Sequence, residues 1–153
     1  MNESVTPNDL RDHYYEVTEN ILIEVRPFFI PEKSSRKSGQ FFYAYKIKIT
    51  NHNDYACQLI QRHWKIKDGN GKTYDVQGPG VVGEKPVLPP GDSFEYHSFC
   101  PLKTPHGNMR GKFQFIDENR NSFWASVPVF FFRPDNEFGN KDLSSRDLPD
   151  SIH

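Results

Sequence analysis

Apolar residues recur at every second position through much of the chain, and a period of two is the signature of a half-buried strand. Over 41–50, Phe41, Tyr43, Tyr45, Ile47 and Ile49 share one side, while Lys46, Lys48 and Thr50 share the other. Ile21, Ile23 and Val25 alternate with Leu22, Glu24 and Arg26, which predicts a first strand ending near Pro27. The intervening 31–40 (PEKSSRKSGQ) reads as a charged loop. A third strand is predicted over 57–67, with Ile60, Trp64 and Ile66 on one side and His63, Lys65 and Lys67 on the other. Asp68-Gly69-Asn70-Gly71 then offers the positive-φ positions of a tight hairpin, with 72–77 as the return strand. A strand over 93–100 follows, then a final hairpin of 110–117 and 122–133 around Glu118-Asn119-Arg120-Asn121. About seven short strands, turn signals between them and no helical stripe predict an all-β fold. The expected form is an immunoglobulin/fibronectin type III-like antiparallel β-sandwich.

Large aromatic side chains supply the core of such a sandwich, and Trp64, Phe113, Phe115, Phe123 and Phe131 are the residues predicted to fill it. In Val129-Phe130-Phe131-Phe132, the side chains of Phe130 and Phe132 fall opposite those of Val129 and Phe131. Burial is the favoured reading for Phe130 and Phe132; an exposed edge contact or homodimer patch is the alternative.

Composition narrows the class. A chain of 153 residues suits one domain, with twelve Pro and ten Gly to punctuate short strands. The folded body is expected over 14–133, after a flexible lead-in (1–13) and before a polar tail (134–153) too poor in apolar surface to offset its ordering entropy. Nineteen basic and twenty acidic residues give a net charge of −1, so no nucleic-acid partner is expected, although a local basic patch stays open. Cys57 and Cys100 form no disulfide framework and no zinc spacing, and read as packed thiols in a reducing cytoplasm. No secretory leader is read at the start of the sequence, and no run is long enough for membrane insertion.

Gly78-Pro79-Gly80-Val81-Val82-Gly83 matches G-x-G-x-x-G letter for letter. In a dinucleotide site those glycines lead into a helix whose N-terminus holds the pyrophosphate. Here Pro86, Pro89 and Pro90 follow, and they forbid that helix. The cofactor reading fails on context, and no cofactor is expected. Two readings stand. The favoured one is a turn built on glycine's freedom at positive φ. The sharper one is an anion nest, in which the amides of Gly80, Val81, Val82 and Gly83 converge on a phosphate or pyrophosphate. Gly78, Lys85, Arg62 and His63 complete that candidate phosphate site.

Catalysis is not expected. The serines lack a nucleophile elbow, and nothing marks a partner for Cys100 or for His63, His97 and His106. Metal binding is not expected either: Glu95, His97 and His106 lack ligand spacing, and Asp117-Glu118 reads as a turn.

Several segments taken together resemble the ApaG family. They are Val81-Val82-Gly83-Glu84-Lys85-Pro86-Val87-Leu88-Pro89-Pro90-Gly91, Arg62-His63-Trp64, Phe94-Glu95-Tyr96, Cys100-Pro101-Leu102, Thr104-Pro105-His106-Gly107 and the closing strand with Pro128. The resemblance spans roughly residues 15 to 133 and implies the same sandwich fold. It further implies a non-catalytic domain that acts in cobalt resistance and magnesium efflux through a protein partner. The loops over 78–91 and 101–107 are its expected recognition surface, and a phosphate- or nucleotide-binding protein is the alternative. The polar tail departs from the usual short bacterial form.

Overall fold

The computed structural model describes residues 13–134; apart from His13 and Pro134, the expected lead-in and tail lie outside the described residues. Nine strands follow in chain order: β1 Tyr14–Thr18, β2 Ile21–Phe29, β3 Phe41–Asn51, β4 Cys57–Asp68, β5 Thr73–Pro79, β6 Val87–Leu88, β7 Ser93–Leu102, β8 Gly107–Asp117 and β9 Ser122–Phe132. They build two antiparallel sheets. The first has the order β1-β2-β3-β7; the second has β5-β4-β8-β9, with short β6 also pairing to β4. The expected β-sandwich is what forms. Two of its strands, β1 and β6, were not anticipated, because one is mostly exposed and the other is two residues long.

The period of two places the core as anticipated in the first sheet. Ile23 and Val25 of β2 stand opposite Ile49 and Ile47 of β3, Ile21 opposite Asn51 and Phe29 opposite Tyr43, and all of these, with Tyr45, are buried. Strand β2 continues past Pro27 to Phe29. It can do so because β1 pairs only with residues 21 to 25, so the proline's missing N–H falls beyond the end of β1. Phe42 is buried on the outer side of β3, under the 31–40 segment. That segment is more than a charged loop: Pro31–Lys33 forms a 3₁₀ turn, and buried Ser34 accepts from the Phe42 amide at 2.8 Å.

Two bulges in the second sheet overturn two expectations about facing. Between the Leu59–Phe115 and Gln61–Gln114 pairs β4 holds one extra residue, Ile60. A bulge shifts the alternation by one, so Leu59 enters the core instead of Ile60, and Trp64 still points inward. Between the Met109–Phe130 and Gly111–Val127 pairs the extra residue is in β9, at Pro128-Val129. Phe130 and Phe132 are therefore fully buried, and Phe131, expected in the core, is 42% exposed. Complete burial of a phenylalanine contributes about 1.5–3 kcal/mol, so the favoured reading of Phe130 and Phe132 stands and a homodimer patch built on them does not.

Along one flank the sandwich is shut. Tyr14 of β1 packs on Phe130 with ring centroids 6.4 Å apart, and the Ser126 amide donates to Thr18 Oγ1 at 3.1 Å. The opposite flank, between β5 and β7, is open.

Candidate functional site

The glycine-rich segment leaves β5 and returns to β6 without a helical turn. Val82 (φ 43°) and Gly83 (φ 80°) are the centre of a two-residue turn between Val81 and Glu84. Positive φ at both central positions is the type I′ geometry that fits the twist of a hairpin. The Val81 amide donates to Glu84 O at 2.8 Å, the Glu84 amide to Val81 O at 2.9 Å, and the Gly80 amide to Ile60 O at 2.8 Å. Gly80 itself is at φ 58°, and a Cβ there would collide with the Glu84 carbonyl. The four converging donors of the nest reading are thus not all free. Gly80 and Val81 spend theirs inside the fold.

Of the other candidate phosphate ligands, Arg62 joins the segment and His63 does not. Arg62 Nη1 donates to Pro79 O at 2.9 Å and Gly80 O at 3.0 Å, and Gly78 lies against the guanidinium with no side chain in its way. The stem of Lys85 lies beside Gly80 while its head is exposed. His63 follows Arg62 on a strand and so points to the opposite face, where its Nε2 lies 3.1 Å from Asp75 Oδ1. Among the described residues no three His, Cys, Asp or Glu side chains group as metal ligands would.

The open flank holds a groove of about 610 Å³. One wall is the inner face of β4 and β5, with Trp64, Ile66, Tyr74 and Val76. The other is the edge of β7 from Tyr96 to Leu102 with Lys103 beyond it, and Val81 and Val82 close one end. Both expected recognition loops therefore meet here. Strand β7 pairs only with β3, so its second edge carries no strand among the described residues. As a result β5 overhangs: Tyr74 is 38% and Val76 39% exposed. Their alternation with Thr73, Asp75 and Gln77 is visible in the sequence, but only the strand order shows that no described strand covers them.

The groove's floor holds polar groups in an apolar frame. Burial pushes the Tyr45 hydroxyl up to about 12, partly offset by its hydrogen bond to Ser98. Burial raises Tyr96 well above the ordinary phenol range, and its hydroxyl finds no hydrogen-bond partner among the described residues. Cys100 is free and buried, and burial pushes its thiol up to about 12, which keeps it a neutral packed thiol near pH 7. Neutral hydroxyls, the Arg62 cation and aromatic walls together line the groove.

Two antiparallel sheets, an aromatic core between them and one unsealed flank define a β-sandwich of the immunoglobulin/fibronectin type III kind. The model of the ApaG domain matches residues 31–117. The "Protein ApaG" of Methylocella silvestris is 50% identical over 117 residues, covering 76% of this chain and 90% of that protein. The protein of the same name from Beijerinckia indica is 49% identical over the same length and shares. Among solved structures, the putative ApaA protein from Bordetella pertussis superposes with a TM-score of 0.74 at 38% identity, covering 80% of this chain and 96% of that one. This chain belongs to the ApaG family.

Proposed function

We propose that the chain is a non-catalytic interaction module whose partner seats an extended segment in the groove between β5 and β7. One observation carries the reading: among the described residues no strand pairs with the second edge of β7, which runs opposite the partly exposed Tyr74 and Val76. An extended segment added to that edge gains main-chain hydrogen bonds from β7 and buries its alternate side chains on β5. The loops that were expected to recognise a partner sit at the groove's ends, held by a rigid sandwich. A role in cobalt resistance and magnesium efflux, which the family resemblance implies, then runs through the bound protein, in the cytoplasm that two free thiols suit.

The test is capture from the native cell with the wild-type chain and with Val76→Asp, at equal amounts of folded protein. The expected result is a protein retained by the wild type and lost by the variant. Equal retention by both would remove the groove from the mechanism.

A further inference from the structure

The charged residues on the outer faces of the two sheets are ordered differently. On the first sheet, Lys48 of β3 stands in register between Glu24 of β2 and Glu95 of β7. Lys46 Nζ lies 3.5 Å from Glu95, and His13 Nε2 lies 3.2 Å from Glu24. Arg26 of β2 lies opposite Lys46 there, and Glu24 and Glu95 sit among these cations, so that face carries acids beside its cations. On the second sheet, Lys65 of β4 lies directly opposite Arg110 of β8, Lys112 lies opposite His63, and Lys67 is two residues further along β4. The carboxylate in register with Lys65 is Asp75 of β5, and it makes its ion pair with His63 instead.

Like charges directly opposite one another destabilise a sheet. Arg26 opposite Lys46 shows such a pair on the first sheet too, so what sets the second face apart is its excess of cations: Lys65, Lys67, Arg110 and Lys112 have Asp75 as the carboxylate in register with them. Two aromatic residues are exposed on the same face, Trp124 at 36% and Phe131 at 42%. Lys112 Nζ lies 4.5 Å from the Trp124 ring centroid, and Arg133 Cζ lies 5.5 Å from that of Phe131. The Pro128-Val129 bulge is what turns Phe131 outward, and bulges are a recurrent means of re-aiming a side chain at a site.

We infer that the outer face of the β5-β4-β8-β9 sheet binds single-stranded nucleic acid. Cations spaced every second residue along two neighbouring strands track a phosphate backbone, while exposed aromatic rings on a flat sheet stack the bases. An acidic protein surface would be met by the cations but has no use for the rings. The near-neutral balance of the whole chain argued against such a partner, because it averages a segregated basic face with acids placed elsewhere. This site is separate from the groove, which opens on the inner side of β5.

The experiment is fluorescence anisotropy of the full chain with labelled twelve-residue oligouridylate and oligothymidylate in low salt. Saturable binding is expected, with log K falling against log salt at a slope of about −3, as for four phosphate contacts on a single strand. Lys65→Glu with Lys112→Glu should weaken binding at least tenfold, and Trp124→Leu at least fivefold. Lys46→Glu with Lys48→Glu, on the other sheet, should change it less than twofold. Tighter binding of the ribose oligomer would name RNA as the ligand, and tighter binding of the deoxy oligomer single-stranded DNA; either supports the site. Absence of saturable binding, equal loss from both double variants, or polyglutamate binding as tightly as the oligomers would overturn it.

Discussion

The two sheets of this sandwich share a core but differ in regularity. The first pairs without a register break, has no glycine in its four strands, and interleaves Glu24 and Glu95 with the cations Arg26, Lys46 and Lys48 on its outer face. The second holds both bulges, three strand glycines (Gly78, Gly107 and Gly111), an excess of cations and an overhanging edge. Regular pairing is what a scaffold needs. Bulges, close approaches and unpaired edges weaken a sheet, and they gather where side chains must be aimed outward or a partner admitted. The second sheet therefore carries the proposed nucleic-acid face, and the proposed groove lies between it and the β7 edge of the more regular first sheet.

The sharpest difference lies at the β4 bulge. Leu59 is fully buried and Ile60 only partly. Leu59→Ala should cost about 2–5 kcal/mol and Ile60→Ala about 1 kcal/mol, read from urea midpoints. The reverse order would place the extra residue elsewhere. Close behind comes Gly111, where a Cβ would meet His63 O and Trp64 Cε3 at 2.5 Å. Gly111→Ala should cost about 2–4 kcal/mol through overpacking of the second sheet, and a neutral result would show that β4 and β8 can part.

The first sheet has its own signature, an alkaline one. Tyr45 is buried in β3 and ionises at about 12 in the fold against 10 in the free side chain. Between those values the native state keeps a proton that the unfolded chain has lost. Stability is therefore intact below pH 10 and falls as pH rises towards 12, by about 3 kcal/mol from this group. Tyr96 and Cys100 shift in the same direction by burial. Tyr45→Phe should flatten the decline between pH 10 and 12, and an unchanged slope would assign it to other groups. The smallest effect concerns the outer faces. Arg110→Gln on the second sheet, which relieves its opposition to Lys65, should stabilise by about 0.3 kcal/mol and Glu95→Gln on the first should destabilise by as much, both fading in high salt. Changes of the same sign would erase the difference between the faces.

Much of this was legible in the residues. Strict alternation over 41–50 and 21–26 revealed the first sheet because nothing interrupts its register. Asp68-Gly69-Asn70-Gly71 announced its hairpin, and the Asp68 side chain indeed accepts from the Asn70 and Lys72 amides at 2.9 and 3.0 Å. The second sheet was harder, since an alternation read straight through Ile60 or Pro128 comes out one step wrong. Sequence adjacency also suggested that Arg62 and His63 act together, whereas neighbours on a strand face opposite ways. The groove was invisible for a different reason. It is a property of strand order, and no residue on β5 records whether another strand covers it.

The most direct measurement is an amide spectrum of the isotope-labelled chain in an extract of its own cells, before and after nuclease treatment. Shifts confined to β4, β5, β8 and the β7 edge are the expected result, with the outer-face amides of Lys46, Lys48 and Glu95 silent. Shifts centred on those three residues, or none anywhere, would contradict the placing of both proposed sites.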